Sequence, residues 1–191
     1  MHYLSGKTYD AIVQEVISIY QDYVLTSLPI DVKKLAADMR IRLKPYSALP
    51  KEVRESLLQG KDTKDGFHTC DVSKGYPVYT IWYNDLKVEE RWRHTIAHEI
   101  GHIVLRHGSR TGELQEAEAD YFAKQLLAPS CLVILTKSFD LEAIQKRFGI
   151  SFESAIYTLK STRQRREKYG EVFMEYENNF IEWARGWLND G

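Results

Sequence analysis

The strongest constraint on the fold is a helix predicted at residues 88–107, because its two faces differ in chemistry. One face is apolar and carries Trp92, Ile96, Ile100 and Ile103. On the opposite face, His98 and His102 are four residues apart and therefore about 40° apart around the helix axis. The apolar face can pack into a core while both imidazoles reach one metal ion in a cleft.

Two further residues of this helix are compatible with a metal site. Glu99 lies about 100° around the helix from His98. This is close enough to act on a water at the metal but poorly placed for a third ligand, which suits a general base. Gly101, beside the metal face, would let a second element pack closely. An amphipathic helix with two incidental histidines is the alternative interpretation of the same pattern.

A catalytic zinc site needs a third protein ligand and an open position for water. The helix predicted at residues 113–128 offers three acids and should bury Ala119, Phe122, Ala123, Leu126 and Leu127. Glu116 and Asp120 lie one turn apart at the edge of that face, whereas Glu118 should point towards solvent. We therefore choose Glu116 as the ligand, and expect Asp120 to accept the second N–H of one ligand histidine. The alternative is a solvated acidic helix start, favoured by the helix dipole.

A third histidine defines another class of zinc site, with the pattern H-E-x-x-H-x-x-G-x-x-H. In this chain the glycine position is Leu105 and the histidine position is Gly108, and His107 comes one residue early. We therefore reject that class. We expect His107 to cap the helix near its free carbonyls, and Gly108 to end it.

The rest of the chain predicts an α+β fold. Helical spacing predicts a first helix at residues 9–25, and Asp31 is a suitable N-cap for a second. A short strand at 40–45 precedes an antiparallel hairpin of 67–72 and Val78–Tyr83. Further predictions are a helical turn or two at 50–59, a polar loop at 60–66, and helices after Pro129 and at 140–148, 151–167 and 172–188. Together these give one α+β domain with a helical C-terminal extension.

Composition excludes several classes of protein. The 191 residues carry 26 basic and 27 acidic side chains, and a net charge of −1 argues against a dedicated nucleic-acid scaffold. No apolar stretch approaches the roughly 20 residues that cross a bilayer, and no signal peptide is expected. Cys70 and Cys131 are far apart in apolar settings, so we expect buried free thiols. The sequence therefore predicts a cytoplasmic protein without membrane contact.

The two motifs together resemble a known family. His98-Glu-Ile-Gly-His102, followed by Glu116-x-x-x-Asp120-Tyr-Phe-Ala-x-x-Leu-Leu-Ala-Pro129, is similar to the paired motifs of the ImmA/IrrE family of zinc metallopeptidases. The resemblance covers residues 30–159, and it does not extend to the basic and aromatic tail. It implies a zincin-like metallopeptidase domain at 1–137, with the helical extension at 138–191 packed on it.

Site residues follow from this resemblance position by position. It implies that His98, His102 and Glu116 bind Zn²⁺ and that Glu99 is the catalytic acid and base. Asp120 matches the family's usual Asn or Asp. It also implies a small mixed or antiparallel sheet packed on the active-site helix.

Members of that family typically cleave DNA-binding repressors of prophages or mobile elements in the bacterial cytoplasm. The resemblance therefore implies a site-specific zinc endopeptidase whose partner is a helix-turn-helix repressor. The donor to the oxyanion is left open among Tyr121, His94, His107 and Tyr83. The strand Val78–Tyr83 is a candidate to bind an extended peptide through its backbone, although strand aromatics more often pack in a core.

Two other functions compete with this one. Residues 141–159 have the outline of a helix-turn-helix, with Gly149 at the turn and Ser151 capping the second helix. A basic cluster follows at Lys160, Arg163, Arg165, Arg166 and Lys168. These features make a zinc-containing DNA-binding or protein-binding regulator the main alternative. Phe152 and Glu153 begin its recognition helix and suit phosphates poorly, so we do not expect direct nucleic-acid binding. Another role for this segment is to hold the protein substrate. The other rival is a catalytically silent adaptor, against which the intact Glu99 argues. No oligomeric state is predicted.

Overall fold

The computed structural model describes residues 4–58, 65–108 and 112–189. The described part is mostly helical with a small sheet, and the α+β prediction is confirmed. The helices are α1 Gly6–Asp22, α2 Val32–Asp38, α3 Lys51–Leu58, α4 Glu89–Val104, α5 Glu113–Leu127, α6 Ser130–Leu135, α7 Leu141–Phe148, α8 Phe152–Tyr169 and α9 Asn178–Asn189. The strands are β1 Arg42–Pro45, β2 Gly66–Asp71 and β3 Val78–Tyr83. Most of the predicted polar loop at 60–66 lies outside the described residues.

The sheet has the order β1-β3-β2. β3 pairs parallel with β1 and antiparallel with β2, so the predicted hairpin is confirmed. Ile81 of β3 is fully buried, with Leu43 on one side and His68 on the other. Because both edges of β3 are already paired, the suggestion that this strand binds an extended peptide is wrong. Among the described residues, β2 pairs only with β3, so the other edge of β2 has no partner strand there.

Helix α4 is anchored as its sequence pattern predicts. Ile96 and Ile100 are fully buried, and Trp92 and Ile103 pack against the same core. Helix α5 crosses α4 at Gly101, where a Cβ atom would lie 2.9 Å from Cδ1 of the buried Phe122. No other residue type fits this crossing without displacement, so Gly101 sets how closely the two helices approach.

The end of α4 differs from its prediction. The helix ends at Val104, and Arg106 follows in the left-handed conformation with a φ of 56°. The backbone N–H of His107 then donates to the carbonyl of His102 at 2.9 Å, and that of Arg106 donates to Ile103 at 3.2 Å. This pair of bonds is a Schellman motif, which ends the helix before Gly108 and turns the chain back along it.

Local capping accounts for the starts of α1 and α2. Asp31 accepts from the backbone N–H groups of Lys33 and Lys34, as predicted for an N-cap. Helix α1 begins earlier than predicted because the hydroxyl of Ser5 accepts from the backbone of Thr8. It also ends earlier, at Asp22.

The C-terminal helices share the core of the rest of the chain. Ile144 of α7 and Phe180 of α9 belong to the same buried cluster as the α1, α4 and α5 residues. The last helix begins at Asn178 rather than at 172, because a short 3₁₀ turn at Glu175–Glu177 precedes it. Buried Glu177 in that turn accepts two hydrogen bonds from Arg165. The division at residues 137 and 138 stays a prediction.

Two further expectations concern the cysteines and the membrane. Cys131 is buried, as expected, but Cys70 is exposed near the end of β2. The expectation of two buried thiols is therefore wrong for Cys70, because the outer half of this edge strand extends beyond the core. Within the described ranges, no helix combines the length and apolar character needed to cross a membrane.

Candidate metal centre

Three donor atoms from α4 and α5 converge on one point. Nε2 of His98 lies 3.0 Å from Nε2 of His102 and 3.3 Å from Oε2 of Glu116. Nε2 of His102 lies 3.7 Å from Oε1 of Glu116. Zinc bonds of about 2.0–2.1 Å in a tetrahedral site place neighbouring donors about 3.4 Å apart. The three donors therefore have the chemistry and the spacing that fit zinc.

The two helices supply these donors from different environments. The side chain of His102 is 4% exposed, whereas that of Glu116, in the first turn of α5, is 51% exposed. His102 is therefore fixed by the side chains around it, whereas the side chain of Glu116 is accessible to solvent. Within the described part of the chain, these three residues are the group of His, Cys, Asp and Glu side chains arranged to hold a metal ion.

Burial prepares both histidines for coordination. It lowers the pKa of His98, and burial together with the neighbouring His98 lowers the pKa of His102. Both imidazoles are therefore neutral at neutral pH, which is the form that binds metals. No proton has to be displaced from an imidazolium before a metal can bind.

A cleft of about 950 Å³ opens in front of the three donors. Its floor is α4, one wall is β2 from Gly66 to Cys70, and the opposite side includes Glu116 and Asp120 of α5. The unpaired edge strand therefore runs beside the candidate metal centre. An extended peptide can add to such an edge through backbone hydrogen bonds.

Glu99 has a partner that sequence analysis missed. Its Oε2 lies 2.7 Å from Nδ1 of His68 on β2, and Glu99 is only 7% exposed. The contact fixes the carboxylate within the cleft. Nothing local in the sequence links residues 68 and 99, because the contact depends on how the sheet packs on α4.

Asp120 lies at the same cleft with different partners from those expected. Its Oδ1 is 3.5 Å from Nε2 of His94, and its Oδ2 accepts from Nζ of Lys124 at 2.5 Å. Although burial opposes ionisation, hydrogen bonds from His94 and Lys124 hold the pKa of Asp120 far below its usual range. The structure thus places Asp120 against His94 rather than against His98 or His102, and its second-sphere role stays a prediction.

The four candidate oxyanion donors divide into two groups. His94 and His107 line the cleft, as does the unpredicted His68. Tyr83 and Tyr121 instead pack in the interior, Tyr83 against Trp92 and Tyr121 edge-on against Tyr9. The structure therefore leaves the imidazoles as the cleft-lining members of that set.

Two expectations near the helix end are wrong. The side chain of His107 does not cap α4: its backbone N–H takes part in the Schellman motif, but its Nδ1 lies 2.8 Å from Nδ1 of His102. Glu118 does not point to solvent. Its Oε2 lies 3.0 Å from Nε2 of His107, and its side chain is 22% exposed.

The predicted helix-turn-helix outline is present, but two of the five residues of its basic cluster are paired with acidic side chains. Gly149 adopts the left-handed conformation at the turn, and Ser151 caps α8. Arg165 is held by Glu177, and Arg166 pairs with Glu171. The Arg165 pair is buried and the Arg166 pair lies at the surface, so two of the five cations already have acidic partners, which weakens the argument for a phosphate-binding surface.

Comparison with known families matches residues 51–160 to a peptidase family model, Peptidase M78, described as the IrrE N-terminal-like domain. The match covers more than half of the 191 residues and includes α4, α5 and every candidate site residue predicted from the sequence. No curated protein matches the chain.

Proposed function

Because the chain belongs to the M78 peptidase family, with its IrrE N-terminal-like domain, we propose that it is a zinc-dependent endopeptidase. We further propose that it acts in the cytoplasm and cleaves a helix-turn-helix repressor at a specific site. The observation that most directly supports a metallopeptidase is the convergence of His98, His102 and Glu116 beside a buried Glu99 in one cleft. The repressor as substrate rests on the resemblance to the ImmA/IrrE family.

Zinc, when bound, would lower the pKa of a water ligand and polarise the scissile carbonyl. His98, His102 and Glu116 would hold it. Glu99 accepts a proton from the attacking water and returns it to the nitrogen of the leaving amine. The 2.7 Å contact with His68 keeps the Glu99 carboxylate oriented for both transfers.

Substrate binding is assigned to the unpaired edge of β2. Residues 66–70 of β2 line the cleft, and the open edge of this strand would pair with an extended segment of the substrate. This pairing would hold one peptide bond in front of the metal ligands and beside Glu99. Because β2 is held in place by its pairing with β3 along the other edge, it would set the register in which the substrate pairs with it.

The test combines metal content with co-expression. Wild type, Glu99→Gln and the control Glu89→Gln are each produced beside the helix-turn-helix repressor encoded next to the gene. Glu89 is an exposed residue in the first turn of the same helix, so the control repeats the chemical change away from the cleft. We expect about one zinc per chain in all three, with repressor loss only beside wild type and Glu89→Gln.

Each departure from this pattern has a defined meaning. An intact repressor beside wild type would contradict cleavage of that substrate. Cleavage by Glu99→Gln would remove Glu99 from the mechanism. Zinc-free wild-type protein, or undiminished zinc in His98→Ala, would overturn the ligand assignment.

A further inference from the structure

A chain of hydrogen bonds runs from α5 to the back of one candidate metal ligand. Oε2 of Glu118 lies 3.0 Å from Nε2 of His107, and Nδ1 of His107 lies 2.8 Å from Nδ1 of His102. Nε2 of His102 is the atom that faces His98 and Glu116. The chain thus ends on the side of His102 opposite to its donor atom.

The direction of each hydrogen bond follows from its first member. The ionised carboxylate of Glu118 can only accept, so Nε2 of His107 must carry the proton between them. In a neutral His107, Nδ1 then has a lone pair and accepts from Nδ1–H of His102. His102 is left with an unprotonated Nε2, which is the form that can bind a metal.

We propose that Glu118 and His107 are positioning residues that hold His102 in the tautomer whose Nε2 faces the metal. The proposal rests on the proposed zinc site, because it concerns one ligand of that site. A carboxylate or carbonyl behind a ligand histidine is a common device in zinc proteins. Here a second imidazole stands between the carboxylate and the ligand.

The local structure holds the residues of this hydrogen-bond chain in place. The Schellman motif at Arg106 brings His107 back beside His102. The side chains of His107 and His102 are 6% and 4% exposed, so little water competes for their nitrogens. Glu118 and Glu116 lie on the same helix, so α5 supplies both a ligand and the far end of the chain.

The direct test is the protonation pattern of His102 in metal-free wild-type protein. Long-range proton–nitrogen NMR spectra of the imidazoles distinguish a proton on Nδ1 from one on Nε2. We expect His102 to carry its proton on Nδ1 and His107 on Nε2. A proton on Nε2 of His102, or a doubly protonated His107, would overturn the proposal because either reverses the chain.

Variants test the consequence for metal binding. His107→Phe keeps a ring without nitrogens, and Glu118→Met keeps the side-chain length without an acceptor. We expect both to weaken zinc binding by about 10–100-fold, measured by competition with a chromophoric chelator. Glu118→Gln keeps an oxygen that can accept from His107, so it should restore most of the affinity. Unchanged affinity in both His107→Phe and Glu118→Met would overturn the proposal.

The matched control is Glu113→Met, which removes an exposed acid from the first turn of the same helix. If Glu118 acted only through its charge, the control would lose a similar share of affinity. We expect no more than a small loss.

A wild-type protein that binds zinc but cleaves nothing would contradict the proposed function and leave the tautomer result intact. The NMR measurement also stands if zinc does not bind.

Discussion

Replacing Gly101 by alanine is expected to destabilise the protein, although alanine is the better helix former. Gly101 lies in the last two turns of α4, where α5 packs against it. A new Cβ atom would lie 2.9 Å from Cδ1 of Phe122 and 3.3 Å from the carbonyl oxygen of Ala119. Both neighbours belong to α5, so the substitution pushes directly on the helix that carries Glu116.

The size of the effect follows from two opposing contributions. Alanine in place of glycine within a helix stabilises by about 1 kcal/mol. Carbon atoms pack at about 3.5–4.0 Å, so the ring or the helix must move by roughly 0.6–1 Å. Phe122 is fully buried, and overpacking of this kind costs about 1–3 kcal/mol. The expected net loss in free energy of unfolding is about 0–2 kcal/mol.

Gly186→Ala provides the matched control. Gly186 lies within α9, and a Cβ atom there would meet nothing within 4 Å. This variant should gain about 0.5–1 kcal/mol, so the two variants should differ by about 0.5–3 kcal/mol. Urea unfolding of the metal-free proteins measures both values. Zinc affinity should fall only in Gly101→Ala, because only that change displaces Glu116.

One result would refute the reasoning about the crossing. If Gly101→Ala were stabilised as much as Gly186→Ala and bound zinc as wild type does, the close approach of α4 and α5 would not constrain the site.

Two further predictions concern stability. Asp31→Ala should lower the free energy of unfolding by about 1 kcal/mol, because the backbone N–H groups of Lys33 and Lys34 lose their acceptor; an unchanged urea midpoint would contradict this role. Burial lowers the pKa of His102 from 6.5 to about 4, so the unfolded chain binds more protons than the folded one between these values. Metal-free protein should therefore lose stability as the pH falls from 6.5 towards 4, measured by thermal unfolding across that range, and His102→Gln should flatten the dependence.

Local signals explain the parts of the fold that sequence analysis predicted. Asp31, Gly149 and Ser151 act within a few residues of themselves, and the structure confirms each of them. The end of α4 was missed for a physical reason. Its left-handed residue is Arg106, and no glycine marks the position.

The candidate site likewise combines a local feature that the sequence predicts with contacts between distant residues that it does not. The four-residue spacing of His98 and His102 is a helical property, so their shared face could be predicted from the sequence. The contacts of His68 with Glu99 and of Glu118 with His107 join residues from different elements. Periodicity carries no information on such contacts, because they depend on how the sheet and α5 pack on α4.

The position of β2, whose second edge is open, has a consequence for the choice of substrate. Residues 66–70 of β2 line a cleft that α4 and α5 also line. An extended segment can pair with the edge of such a strand, whereas the backbone groups of an intact helix or inner strand are already hydrogen-bonded. Cleavage would then be limited to segments that unfold locally, and the local stability of a target would decide its rate of destruction.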